Sequence, residues 1–380
     1  MKLIRTITVF LTLSLFITST AQGAVRKICK DKLKPIDSVV KEEIAKGNLP
    51  GAVIVIGQAE KILYRKSFGH RATKPRLLVM HKNTVFDLAS LTKPIATATS
   101  IMILIDRKKL KPSDYAGKYL PAFACRGKEE VRIKHLLAHT SGLPAYTNAS
   151  ELKEQYGSPC PDKLIEKICS LKALSEPGKE FCYSCLGYIT LAKIAEAVSG
   201  ETIDDFARGN IFAPLKMKRT IYNPPKSWTK NTAAAEIVGG QVLRGTVHDP
   251  LARLMAGKAG NAGLFSTADD LSIYCRMLLN GGTRKGVNVL SQQAAALLTT
   301  VQSHNRAFGF DVNSSYSWVK GSHAPEQAFC HSGYTGTSVV CDPVDKVYII
   351  ILTNRTHPRD EGTSRPIRTK VADIVFQAYE

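Results

Sequence analysis

Ser90 and Lys93 stand three residues apart in the stretch FDLASLTKPIATATS, residues 86–100. A serine hydroxyl is a weak nucleophile at neutral pH. It becomes reactive through an adjacent base and through donors that hold the oxyanion formed on attack. On a helix, residues i and i+3 share a face, with Cβ atoms about 5–6 Å apart, so this spacing can supply the base. The spacing alone is not selective, because Ser38/Lys41, Ser150/Lys153, Ser227/Lys230 and Ser317/Lys320 repeat it. Context separates them. Pro94 fits a helix only in the first turn, where its missing N–H costs nothing, and this places the helix start within a residue or two of Ser90. The following IATATSIMILI is apolar or small all round, the pattern of a buried helix. Ser90 is expected at the exposed tip of that helix, with Lys93 one turn inside. Desolvation lowers the pKa of a lysine, and Lys93 is expected to act as a base for that reason. The same residues also fit a plain N-cap serine.

The elements that must carry this pair can be read on either side of it. Pro35 to Lys46 reads as an amphipathic helix. GAVIVIG (51–57) and KILYRKSFG (61–69) read as two strands of a hairpin, rich in β-branched residues and bounded by glycines. Helical patterns broken by Gly/Pro loops fill roughly 100–240. TADDLSIYCRMLLNGG (267–282) reads as a helix with Thr267 as N-cap and Gly281 as its stop. Strand signals return at AFGFDV (307–312), SVVCD (338–342) and the run from Val347, and a last helix is expected over about 364–379. With strands at both ends and helices between, the economical architecture is a mixed α/β fold: one sheet subdomain from 25–85 and 255–380, a mainly helical insertion at 86–254, and the active site between them.

Residues 1–24, MKLIRTITVFLTLSLFITSTAQGA, have the pattern of a secretory signal peptide. Lys2 and Arg5 precede an apolar run over Ile7–Thr18, and small residues follow. The run is short for a spanning helix of about 20 residues, so no membrane span is expected after cleavage. The implied location is the periplasm or cell envelope. The formal charge is +20, and removing Lys2 and Arg5, with no acid, leaves +18. A secreted protein this basic should adhere to anionic envelope surfaces. The cations are scattered singly and in pairs without a nucleic-acid-binding module, so no nucleic-acid partner is expected. The nine cysteines permit disulfides in an oxidising compartment. Cys182 and Cys185 form a Cys-x-x-Cys without a second pair or suitably spaced histidines, which argues against zinc. His135 and His139, four residues apart, have no glutamate as in a zinc protease and read as structural.

Five blocks, in order along the chain, resemble those of the penicillin-recognising serine hydrolases: class C β-lactamases, DD-peptidases and related esterases. They are FDLASLTKPIATAT at the nucleophile, IKHLLAHTSGLP (133–144), EPGKEFCYSCLGYITLAKIAEAVSG (176–200), AGNAGLFSTADDL (259–271) and CHSGYTGTSVVCDP (330–343). The resemblance implies a β-lactamase/transpeptidase-like fold, an antiparallel sheet flanked by helices with an inserted helical subdomain. It makes Ser90 the nucleophile, with Lys93 and a tyrosine sharing acid and base work. The family's Tyr-x-Asn motif matches literally at Tyr146-Thr147-Asn148. The block context, and the apolar helix that follows, select Tyr183-Ser184-Cys185 instead. Cys185 then stands where the family has Asn or Asp, and a thiol is a poor hydrogen-bond partner. This bears on recognition of amide substrates.

His331-Ser332-Gly333 resembles the family's third motif. The resemblance implies oxyanion N–H groups from Ser90 and Tyr334, and a His331 that orients a carboxylate or tunes the Lys93/Tyr183 pair. A disulfide is expected between Cys330 and Cys341, which flank the motif. Cys182 and Cys185 are read either as a second disulfide or as two partly buried thiols. No metal and no organic cofactor is required. The implied activity is acyl-enzyme hydrolysis of D-alanyl cell-wall peptides, then of esters, then of β-lactams. A rival of another class is a cell-wall binding protein that keeps the fold without turnover.

Overall fold

The computed structural model describes residues 25–380, so the signal-peptide reading of residues 1–24 lies outside the described residues. The central sheet has six strands, all pairs antiparallel. Its N-terminal part is β1 (Gly51–Gln58), β2 (Lys61–Ala72) and the two-residue β3 (Leu78–Val79). The short strands β4 (Phe86–Asp87), β5 (Ile221–Tyr222) and β6 (Leu264–Ser266) lie outside this sheet. β7 (Phe329–Ser332), β8 (Ser338–Asp342) and β9 (Val347–Thr353) complete it, in the order β7-β8-β9-β1-β2-β3. The N- and C-terminal parts of the chain are thus joined through β1 and β9, in register from Ala52 opposite Thr353 to Gln58 opposite Val347.

The continuous apolar run of β1 has a direct cause, since both faces of the strand are covered. Ala52, Ile54 and Ile56 pack with α1 (Ile36–Ala45) and the C-terminal helix near Ile367, Val371 and Val375. Val53 and Val55 point to the opposite cluster, which contains the helical part of the chain. Other helices include α2 (Thr99–Asp106), α3 (Cys185–Ser199), α4 (Ala268–Leu279) and α5 (Arg365–Gln377). Thr267 caps α4 through its side chain, which accepts the Asp270 N–H at 3.3 Å. Among the described residues no helix is long and apolar enough to cross a membrane.

Two features differ from the sequence reading. AFGFDV (307–312) is a loop held by isolated bridges, Arg306 to Asp311 and Asp311 to Cys330. Its alternation of apolar residues reflects burial of Ala307, Phe308, Phe310 and Val312 in the core, so the pattern came from packing and not from a ladder. Also, the short sheet β4-β6-β5 joins Phe86–Asp87 and Ile221–Tyr222 to Leu264–Ser266, so strand pairing crosses the division drawn near residue 255.

Candidate active site

The nucleophile turn leaves β4 through Leu88 and enters a 3-10 turn at Ala89–Leu91, followed by a π-helical segment at Lys93–Ala98 and then α2. Pro94 lies in the first turn of the π segment. Wide π turns recur at functional sites. Here the segment is walled in, with Lys93, Pro94, Ile95 and Ala96 all buried. Ala89 has φ +47°, a costly left-handed conformation for a residue with a side chain. The buried Asp87 holds it there, one carboxylate oxygen accepting the Ala89 N–H at 2.9 Å and the other the His248 N–H at 2.7 Å.

Lys93 is fully buried and donates three hydrogen bonds: to Ser90 Oγ at 3.0 Å, to the Asn261 carbonyl at 3.1 Å and to Cys185 Sγ at 3.4 Å. Three donors occupied by three acceptors describe an ammonium. Burial, the largest influence, pushes its pKa down; the Asp249 charge, and Cys185 and Tyr183 in their ionised forms, push it up, and the net direction is upward. This corrects the sequence expectation of a lowered lysine pKa. Desolvation is present as foreseen, and the opposing groups come from segments distant in sequence.

Tyr183 lines the same pocket as Ser90, and the Lys93 ammonium lies 4.9 Å from its ring centre. His139 fixes the tyrosine from behind. Its ring stacks on Tyr183 with centroids 4.3 Å apart, its carbonyl accepts the Cys182 N–H at 2.9 Å, and its Nδ1 accepts the Ser184 N–H at 2.9 Å. Ser184 then caps α3 by accepting the Gly187 N–H at 3.1 Å. Burial pushes the His139 pKa well below 6.5, which keeps Nδ1 bare as the acceptor this arrangement needs. On its outer face Tyr183 stacks on Tyr316, 5.1 Å between centroids. Beneath lies the fully buried Arg306, paired with Asp311 and placed 5.8 Å from the Tyr183 ring centre.

The third motif forms the opposite wall. His331 and Ser332 end β7, and Gly333 and Tyr334 continue past the Ser90 turn. Two threonines bind this segment to the nucleophile turn: Thr337 Oγ donates to the Leu88 carbonyl at 2.9 Å, and Thr335 Oγ to the Asp87 carbonyl at 2.8 Å. The approach is so close that a Cβ on Gly333 would stand 2.3 Å from the Leu88 oxygen, which is why glycine occupies the position. Among the described residues neither the Ser90 N–H nor the Tyr334 N–H donates to a protein acceptor. Burial, helped by the charges of Arg306 and Lys93, pushes the His331 pKa well below 6.5. Its Nδ1–H donates to the Ser332 carbonyl at 2.9 Å, leaving Nε2 as a buried acceptor without a protein partner. A neutral ring does not supply a charge for a carboxylate.

The pocket so formed has a volume of about 260 Å³. Ser90, Tyr183, His331, Ser332, Gly333 and Tyr334 line it, and Cys185 stands behind Lys93. Tyr146 is not in the lining. Its hydroxyl donates to Asp249 at 3.1 Å and accepts the Leu251 N–H at 3.3 Å. All nine cysteines are free thiols. The expected Cys330–Cys341 bridge is corrected by register: Cys341 stands opposite Phe329 and Cys330 opposite Val340. An offset of one residue turns the two thiols to opposite faces of the sheet, and they belong to different core clusters. The Cys182–Cys185 bridge is also absent, since the Cys185 sulfur turns inward to Lys93.

Sequence reading missed several members of this site. Asp249 accepts from Asn261 Nδ2 at 3.0 Å and adds negative charge near Lys93. Thr335, Thr337 and Arg306 were also overlooked. Asn261, in the block AGNAGLFSTADDL, holds Lys93 through its backbone carbonyl. A backbone acceptor has no residue-type signature, so no sequence signal could have found it.

Comparisons with known proteins give the family and the fold. The Beta-lactamase family model matches residues 36–373. An N-acetylmuramyl-L-alanine amidase of Bacillus subtilis (strain 168) is 33% identical over 360 residues, covering 86% of this chain and 81% of the relative. A putative D-alanyl-D-alanine carboxypeptidase of Escherichia coli (strain K12) is 29% identical over 362 residues, covering 86% and 83%. Among solved structures, EstCE1, a hydrolase with promiscuous acyltransferase activity, superposes with a TM-score of 0.75 at 23% identity, over 91% of this chain and 99% of that one. A family VIII carboxylesterase gives 0.70 at 19% identity, over 93% and 99%. The structural neighbours share the fold, an antiparallel sheet flanked by helices. By family match and by relatives of nearly full length, this chain belongs to the beta-lactamase family of hydrolases.

Proposed function

We propose that the protein is an exported serine hydrolase that forms an acyl-enzyme on Ser90 and releases D-alanine from cell-wall peptides. The observation that carries this reading is the contact of Ser90 Oγ with Lys93 at 3.0 Å, beside two uncommitted N–H groups on Ser90 and Tyr334. In the proposed reaction Ser90 Oγ attacks the substrate carbonyl. Its proton passes to the Tyr183 oxygen as the Tyr183 hydroxyl gives its own proton to the departing amine and the C–N bond breaks, so Tyr183 ends as it began. The oxyanion is held by the two N–H groups. Water then retraces the path, giving the acid and free Ser90. Lys93, held as an ammonium, acts by stabilising the charge that develops on its neighbours.

The relatives named as a putative carboxypeptidase and an amidase support a peptidoglycan-derived substrate. Basicity and the signal-like leader support work at the envelope. A second reading, ester hydrolysis on the same site, is favoured by Cys185, whose thiol offers a substrate amide little. Side-by-side assay of an acyl-D-Ala-D-Ala peptide and a short-chain nitrophenyl ester separates the two. Peptide turnover with a larger kcat/KM supports the first reading. Turnover of the ester alone replaces it with the second. N-terminal sequencing of protein recovered from the envelope tests export.

A further inference from the structure

Residues 61–86 carry seven Lys and Arg side chains and no acid. Three of these cations, Arg71, Lys74 and Arg76, stand where β2 ends and the chain turns to the edge strand β3. Residues 74–77 of the turn are exposed. Two large apolar side chains stand in water there, Leu77 at 66% exposure and Val79 at 59%. Across a cavity of about 820 Å³ lies a hairpin of Ile237–Val238 and Gln241–Val242, with Lys74, Pro75, Ile237, Val242 and Arg359 in the lining. Val238, beside the hairpin turn, is 42% exposed.

One carbonyl ties the turn to the hairpin. Arg71 Nε and Arg244 Nη2 both donate to the Lys230 oxygen, at 3.0 and 2.8 Å, and Arg71 Nη1 donates to the Val79 carbonyl. Burial, and then the charges of Arg71 and Arg76, push the Arg244 pKa down, so three guanidinium groups crowd one another. Among the described residues Arg71, Lys74, Arg76, Arg244 and Arg359 make no salt bridge. Of the acids in these segments, Glu236 meets His248 at 3.0 Å, and Asp360 accepts from Arg355 and from the Tyr334 hydroxyl. That leaves Glu361 against five cations. Like charges this close repel, and a negative surface facing them relieves the repulsion.

We infer that this face docks on an anionic lipid surface, with Leu77, Val79 and Val238 entering the headgroup boundary and the surrounding cations meeting lipid phosphates. The two kinds of residue together choose a bilayer over a soluble polyanion. A polyanion satisfies cations but has no use for exposed aliphatic side chains. Interfacial binding grows with buried apolar area and with attraction to anionic lipid. Leu77 directly follows Arg76, so apolar and cationic contacts fall on the same turn. The inference goes beyond the Ser90 reading and does not rest on it. Arg355 lines both this cavity and the Ser90 pocket, so docking holds the pocket close to the lipid surface.

The test uses residues 25–380, because the apolar run in the leader would bind lipid by itself. Co-sedimentation is measured with vesicles of equimolar phosphatidylglycerol and phosphatidylcholine, with vesicles of phosphatidylcholine alone, and with polyphosphate on beads. Wild type should bind the anionic vesicles about tenfold or more tightly than the neutral ones, with an advantage that shrinks as salt rises. The Leu77→Ser/Val79→Ser variant should bind anionic vesicles about tenfold more weakly and polyphosphate unchanged. The Lys74→Gln/Arg76→Gln/Arg359→Gln variant should lose the preference for anionic vesicles. All five side chains are exposed, and an unchanged Tm checks that both variants fold. Equal affinity for the two vesicle types, or an undiminished preference in the triple variant, overturns the docking face. Wild-type binding of anionic vesicles by the serine variant makes the face a general polyanion binder and overturns the lipid reading. Self-association that the serine variant loses, without vesicle binding, overturns it in favour of a second copy of this chain.

Discussion

Lys93 Nζ donates to the sulfur of Cys185 across 3.4 Å, in a site where its other two protons go to Ser90 Oγ and the Asn261 carbonyl. Burial pushes the Cys185 thiol pKa up, with the Lys93 charge opposing, so at neutral pH the pair is an ammonium beside a thiol. A thiol accepts weakly and offers little to a substrate amide. Cys185→Asn should therefore raise kcat/KM for an acyl-D-Ala-D-Ala peptide relative to a nitrophenyl ester by about tenfold, one hydrogen bond's worth of discrimination. An unchanged ratio would show that the position does not meet the amide. Because the thiols are unbridged, dithiothreitol should leave the rate of Ser90 labelling unchanged.

Tyr183 and Tyr146 occupy different surroundings. Tyr183 is stacked between His139 and Tyr316 within the Ser90 pocket, whereas Tyr146 binds Asp249 outside it. Tyr183→Phe should lower kcat by roughly 10²–10⁴-fold, the range for loss of a proton-transfer group. Tyr146→Phe should change it less than tenfold. Single-turnover kinetics of both variants would check this, and the reverse order of effects would assign the motif to Tyr146.

Thr337 ties the third-motif segment to the nucleophile turn through the Leu88 carbonyl. Thr337→Val keeps the shape and removes that donor, leaving the Leu88 carbonyl with the Leu91 N–H alone, at a cost of about 0.5–1.5 kcal/mol. The Ser90 and Tyr334 N–H groups proposed to hold the oxyanion lie on the two segments so joined. The variant should therefore lose kcat with little change in KM, alongside a lower Tm. A lower Tm with unaltered kcat would confine Thr337 to stability.

His139 and His331 are buried, and both have pKa values pushed well below 6.5; His135 is pushed down to about 4. The unfolded chain takes up these protons near pH 6.5 while the native state refuses them. Stability therefore rises with pH through that window and levels off above it. Each histidine contributes a slope of at most ~1.4 kcal/mol per pH unit. Calorimetry should show Tm falling from pH 7 to 5, and His139→Gln should flatten the fall. A Tm independent of pH over this range would mean that these rings are protonated in the native state.

The sequence was most informative where chemistry and packing demand particular residue types at particular spacings. Pro94 and the apolar run behind it located the Ser90 turn, and the β-branched run 53–56 located the central strand. Gly333 stands out because no other residue fits against Leu88. What escaped reading is relational. The direction of the Lys93 pKa depends on Asp249 and Cys185, more than ninety residues away along the chain. The cysteine pairing failed by a single step of register between β7 and β8. The apolar alternation at 307–312 looked like a strand because burial, not pairing, imposed it.

Intact-mass spectrometry after incubation with a fluorophosphonate and with a fluorescent penicillin tests the Ser90 acyl-enzyme most directly. One covalent adduct on the wild-type protein, mapping to Ser90 and missing from the folded Ser90→Ala variant, is expected. A folded wild-type protein that takes up neither probe, or an adduct that survives Ser90→Ala, would contradict the account.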